Sequence, residues 1–142
     1  MWVTVKEEAK LLNSICLKVK QTGKITKDQN QLLLKIFGKR FQSAIKAVEE
    51  TAVKKYIFYP SRSVIWIVVG KERDYQVLPS VNYCSCDDFY YRVLRGDTSL
   101  CYHVMAQRLA EALGRFDVVE DSDEMYEHLM REWRFIKENM AK

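Results

Sequence analysis

Lys54-Lys55-Tyr56-Ile57-Phe58-Tyr59, then Pro60-Ser61-Arg62, then Ser63-Val64-Ile65-Trp66-Ile67-Val68-Val69: this stretch decides the fold. Its two arms are rich in β-branched and aromatic side chains, which suit a pleated, half-buried surface. The Pro-Ser-Arg link supplies a turn, so the pair reads as a β-hairpin. Gly70-Lys71-Glu72-Arg73 makes a second turn, and Tyr75 to Leu78 adds a third strand. The expectation is a three-stranded antiparallel hairpin and meander. Its middle strand, Val64 to Val69, is apolar on both faces, so it needs cover on both sides, from helices or a partner.

Helical patterns flank this sheet. Upstream, Val5, Ala9, Leu12, Ile15, Cys16 and Val19 recur at steps of three and four, and Gly23 follows as a stop. Cys16 falls on that apolar stripe, as a small buried hydrophobe rather than a ligand. Thr26-Lys27-Asp28-Gln29 fits a capping box ahead of Leu32, Leu33, Ile36 and Phe37. Gly38 ends or kinks this helix. Phe41, Ala44, Ile45 and Val48 continue at helical spacing to about Glu50.

Downstream, Asp87 to Arg95 reads as a short helix capped by Asp87 or Asp88, with Gly96 past its end. Thr98 or Ser99 can cap the next helix, which runs through Met105, Leu109 and Leu113 to Gly114. Asp121-Ser122-Asp123-Glu124 is another capping pattern. Met125, Leu129, Trp133, Ile136 and Met140 then line one face of a C-terminal amphipathic helix. The class is α+β in a single domain, 1–142. It comprises a helical N-terminal part (1–50), the hairpin with a cysteine cluster (51–114) and a C-terminal helix (115–142).

Hydrophobic residues make up 48% and charged residues 30%, a balance that argues against wholesale disorder. Apolar runs such as Val64 to Val69 fall far short of the roughly 20 residues of a membrane span. The N-terminus lacks the basic-then-apolar pattern of a secretory signal. An intracellular setting with no membrane contact is expected, cytoplasmic in a prokaryote and nuclear in a eukaryote. Charge divides unevenly. Residues 1–83 hold 15 Lys and Arg against 7 Asp and Glu, while residues 84–142 hold 8 against 12, so net +8 meets net −4. A basic front half is compatible with nucleic acid, and equally with an ordinary solvated face.

Three of the four cysteines and one of the two histidines lie in paired spacing: Cys84-Ser85-Cys86, fourteen residues, then Cys101-Tyr102-His103. Zinc takes four nitrogen or sulfur ligands in a tetrahedron. Cys84 and Cys86 can converge if the chain turns at Ser85, in the loop after the third strand. Residues two apart in a regular helix point to opposite sides. Cys101 therefore belongs in or before the first turn of a helix from which His103 projects. One structural zinc ion would join loop to helix N-terminus, with no position left for a catalytic water. The plainer alternative makes the cysteines core residues and His103 a cap. His128 reads as a surface or packing residue.

At these residues the chain resembles the SWIM zinc finger, Cys-x-Cys, a variable spacer, then Cys-x-His. Ala106, three residues after His103, matches an alanine often found there in one SWIM subfamily. Leu34-Lys35-Ile36-Phe37-Gly38, Pro60-Ser61, Tyr83 and Val93-Leu94-Arg95 extend the likeness over roughly residues 30–113. It points to the small SWIM proteins of the Shu complex type. The resemblance implies Cys84, Cys86, Cys101 and His103 as zinc ligands, and Ala106 as a helix position that needs a small side chain. It also implies a role in homologous recombination and DNA repair. The partner would be a RecA-like recombinase paralogue, an ATPase, in a heterodimer or larger complex that promotes recombinase filaments on single-stranded DNA.

Three functions compete. A non-enzymatic interaction module would offer Trp66 and Tyr59 on the hairpin, or the Met125-Leu129-Trp133-Ile136 stripe, to its partner, the plainer reading of that stripe being packing against its own domain. A direct nucleic-acid binder would use Lys54, Lys55, Arg62, Arg92 and Arg95 on phosphates, with Lys39, Arg40, Lys71 and Arg73 nearby, and Tyr56, Tyr90 or Tyr91 for stacking. An enzyme ranks last. The chain has no Gly-rich phosphate loop, no serine nucleophile elbow and no open metal site.

Overall fold

The computed structural model describes residues 5–70, 73–79, 83–86 and 100–141. The sequence expects a helix over Asp87 to Arg95 and a cap at Thr98 or Ser99. Both lie outside the described residues.

Helix α1 spans Val5–Thr22, α2 Lys27–Phe37 and α3 Lys39–Glu49. The capping box at the start of α2 is complete. The Gln29 amide donates to Thr26 Oγ1 at 3.2 Å, and the Thr26 amide donates to Gln29 Oε1 at 2.9 Å. Gly38 separates α2 from α3 at φ 57° and ψ −124°. Only glycine takes that backbone without strain, which is why one apolar pattern yields two helices.

Strand β1 (Val53–Tyr59), β2 (Ser63–Val69) and β3 (Asp74–Leu78) form the expected meander, and the Tyr59–Pro60 bond at the first turn is cis. Two further strands extend it: β4 (Tyr83–Cys84) and β5 (Asp117–Ser122), in the order β4-β3-β2-β1-β5. β5 runs parallel to β1, with Lys55 opposite Val118 and Tyr59 opposite Ser122. Helix α4 (Tyr102–Leu113) makes the crossover, and α5 (Asp123–Ala141) follows β5 directly. The segment 115–142 is therefore a strand and a helix. Asp121 and Ser122 end the strand, and α5 starts at Asp123.

The sheet divides two apolar clusters. On one face Val53, Trp66, Val68, Val77 and Cys84 meet residues of α1 to α4, among them Leu12, Leu33, Phe41 and Met105. On the other, Phe58, Ile65 and Ile67 meet Met130 and Trp133 of α5. The apolar middle strand is thus covered from both sides, as its composition requires. Helix α4 is buried almost all round, including Val104, Met105, Ala106, Leu109 and Ala110. A helix with apolar or buried positions on most of its surface belongs in a core.

Candidate metal centre

The β3–β4 pairing sets Cys84 opposite Val77. The next residue breaks the ladder. The Ser85 amide donates to the Gln76 carbonyl at 3.0 Å, while Ser85 Oγ accepts from the Gln76 amide at 2.9 Å. This side-chain hook satisfies both Gln76 backbone groups and lets the chain turn, so Cys86 comes back to the side of Cys84. Across from them, Cys101 holds the N-cap position of α4 in an extended conformation, φ −86° and ψ 170°, with no side-chain capping bond. The helix start is therefore a zinc ligand rather than a hydroxyl cap. Because Cys101 stands outside the helical turn, it and His103 face the same point.

Cys84, Cys86, Cys101 and His103 are all buried, and their ligand atoms lie within 4.8 Å of one another. Bond lengths of about 2.0–2.3 Å make the edges of a zinc tetrahedron roughly 3.3–3.8 Å, so the cluster closes on a metal with small side-chain movements. His103 Nδ1 is 3.9 Å from Cys101 Sγ, and Nε2 is buried with no hydrogen-bond partner. Such a ring is costly as a mere core residue and suits a metal ligand.

The thiols oppose one another electrostatically. Hydrogen bonds with Cys101 and Cys86, then burial, hold Cys84 far above the ordinary thiol range. Hydrogen bonds from Cys101 and Cys84 pull Cys86 far below it, against burial. At Cys101 the bond with Cys84 pulls down, but Cys86 and burial win and push it up to about 12. One thiolate among crowded thiols is the state that a dication resolves, because it lets every sulfur ionise.

Aromatic rings fix the histidine. Tyr75 stacks on His103 with centroids 4.1 Å apart, and Tyr102 lies at 3.9 Å. Gly70 makes room for Tyr75. A Cβ there would sit 2.6 Å from the Arg73 carbonyl and 2.8 Å from the Tyr75 ring. Neither Tyr75 nor Gly70 is flagged by the cysteine spacing. Only the fold brings them to the site.

Cys16 lies apart, a half-buried free thiol on α1. Ala106 is fully buried on α4. Trp66, read from sequence as a partner contact, is a core residue. It packs against Phe116 at 5.0 Å, under the Lys55 ammonium at 5.5 Å. Over Met125 to Trp133 the buried face of the C-terminal helix is rotated by a fraction of a turn from its sequence reading, and Ile136 and Met140 lie outside the described side chains. Trp133 and Met130 are buried and Leu129 is half-buried, with Tyr126 beside them, while Met125 is exposed. Of the proposed phosphate contacts, Lys54 pairs with Asp117 at 3.0 Å, and Arg62 is exposed at the hairpin turn. Arg92, Arg95, Lys71, Tyr90 and Tyr91 lie outside the described residues. Arg40 pairs with Glu8, Arg73 covers Tyr75, and Tyr56 packs edge-on to Trp133. Lys39 is exposed. Among the described residues no helix is long and apolar enough to cross a membrane.

A Cys-x-Cys knuckle at a strand end, closed by Cys-x-His at a helix mouth around one structural zinc, defines a SWIM-type zinc finger. The chain is 31% identical over 130 residues to zinc finger SWIM domain-containing protein 7 of Mus musculus, covering 89% of this chain and 85% of that protein. Its homolog in Dictyostelium discoideum is 29% identical over 126 residues, 86% and 81% of the two chains. An uncharacterized protein of Archaeoglobus fulgidus is 32% identical over 88 residues, 62% and 68%. The chain belongs to the family of zinc finger SWIM domain-containing protein 7. No protein-family model matches it, and no solved structure does.

Proposed function

We propose that the protein is a non-enzymatic mediator of homologous recombination and DNA repair. It pairs with a RecA-like recombinase paralogue, an ATPase, and promotes recombinase assembly on single-stranded DNA, in the nucleus of a eukaryote or the cytoplasm of a prokaryote. The observation that carries this reading is the reach of the family likeness, 89% of the chain, well beyond the two ligand pairs. Four protein ligands close the metal's coordination, which favours a scaffold over a hydrolytic centre.

A surface for the partner supports it. Register sets Ile57 opposite Val64 and Lys55 opposite both Trp66 and Val118, on one face of the sheet. The helices cover that face only at the Val53 end. Toward the hairpin turn Tyr59 and Val64 are 41% and 42% exposed, and on the edge strand Val118, opposite Lys55, is 52% exposed. Exposed apolar side chains on one face of a sheet suit a protein interface.

The test is affinity purification of the tagged chain from its host, beside His103→Ala and a Val64→Asp, Val118→Asp double variant. Recovery of a RecA-like ATPase with wild type, and its loss with both variants, is expected. Recovery of nuclease-sensitive DNA-bound proteins instead, with DNA affinity of the isolated chain falling steeply with salt, would replace the partner reading by direct nucleic-acid binding.

A further inference from the structure

Two arginines approach the metal centre from outside it. One Arg40 guanidinium nitrogen donates to the Leu100 carbonyl at 3.1 Å, and the other donates to Glu8 Oε2 at 2.6 Å. Leu100 immediately precedes Cys101, and both are fully buried. Arg108 makes a similar pair of contacts. One nitrogen donates to the Pro79 carbonyl at 2.8 Å, and the other donates to Asn13 Oδ1. Pro79 ends the run of β3 from which the chain passes to β4 and Cys84. The Cys101–His103 pair is therefore entered through a backbone carbonyl held by Arg40, and Arg108 holds the carbonyl at the end of the strand that pairs with β4. Both arginines are anchored on the same helix, α1, through Glu8 and Asn13.

We infer that Arg40 and Arg108 are positioning residues for the zinc ligands, and that α1 is mechanically part of the zinc site although it supplies no ligand. The chemistry favours this assignment. A guanidinium offers five N–H donors in a fixed fork, so one side chain can grip a carbonyl and a carboxylate together. Glu8 is buried, and its charge is matched by Arg40. Loops held before the metal arrives lose less conformational freedom when it binds, so affinity rises without any new metal contact. The coupling is reciprocal, so zinc occupancy also stabilises α1.

The experiment measures zinc affinity of the full chain by competition with a chelator, together with the thermal melt of the zinc-loaded protein. Arg40→Gln and Arg108→Gln are each expected to weaken zinc binding by about 10–100-fold, the range for lost outer-shell contacts. Arg40→Lys should recover only part of it, because an ammonium cannot reproduce the fork. Trp133→Ala, in the opposite cluster, should lower the melting temperature and leave zinc affinity unchanged. If Arg40→Gln does not fold, Glu8→Gln, of the same shape and without charge, reads the same coupling. Wild-type zinc affinity in Arg108→Gln and in either α1–Arg40 variant, beside a lowered melt, would make these contacts ordinary packing and overturn the inference.

Discussion

The two faces of the sheet are stabilised by different chemistry. On the helical face, residues from α1 to α4 share one cluster with three cysteines, and the histidine beside them completes the metal site. On the other, Phe58, Ile65 and Ile67 meet a single helix through aromatic packing: Tyr56 to Trp133 at 5.4 Å, and Phe58 to Tyr126 at 5.2 Å. The first side concentrates its stability in one polar centre, so a single atom group can undo it. The second spreads its stability over area and should fail locally. The comparison predicts a hierarchy of damage.

The largest effect belongs to the metal. Structural zinc contributes about 10–16 kcal/mol of apparent binding free energy in zinc-finger peptides, of the order of a whole domain's stability. His103→Ala should lose stoichiometric zinc and unfold the region around 84–86 and α4, as seen in metal content and circular dichroism. An unchanged melt with zinc retained would show that His103 is not needed to hold the metal. Second comes Trp133→Ala, expected to cost about 3–5 kcal/mol and to release α5 from the sheet. Amide exchange should rise in α5 alone, with zinc still bound one per chain. Zinc loss in this variant would abolish the distinction between the faces.

Third comes Ala106. It is fully buried among the residues that bring α4 against the neighbouring helices and the sheet. Ala106→Leu adds volume to a filled site and should cost about 1–3 kcal/mol, read from denaturant unfolding, with zinc stoichiometry intact. A neutral result would mean that α4 has slack beside its metal end.

Most of this architecture is legible in the chain. Thr26 and Gln29 announce α2, the hairpin arms announce β1 and β2, and paired cysteine spacing announces the metal. What escapes reading depends on distant partners. β4 is two residues long, and its pairing with β3 defines it. β5, Asp-Val-Val-Glu-Asp-Ser, carries three carboxylates and no clean alternation, so it reads as the start of the C-terminal helical segment with its cap at Asp121 to Glu124. Parallel pairing with β1 makes it a strand. Asp123 then reaches across instead of capping locally: it accepts from the Ser61 amide at 3.0 Å and from Ser61 Oγ at 2.7 Å, tying the hairpin turn to α5. Arg40 and Arg108 look like surface cations for the same reason. Their partners Glu8 and Asn13 are far away in sequence.

The smallest effect tests the boundary of the metal site from within the helical face. Cys16 is the one cysteine outside the cluster, and Cys16→Ser should leave zinc stoichiometry untouched. The thiol itself carries a weak pH signature. Burial, partly offset by Arg108 and reinforced by Glu111, pushes its pKa from 9.0 up to about 11. The folded chain keeps this proton where the unfolded chain gives it up. The contribution to stability is therefore whole below pH 9 and lost as pH rises toward about 11, a window fixed by the two values. Wild type should lose slightly more stability than Cys16→Ser between those limits, and alkylation of Cys16 at pH 8 should be slow until the chain is denatured. Rapid alkylation of the zinc-loaded protein at that pH would place Cys16 on an open surface, and would detach it from the helical core that the arginines tie to the metal.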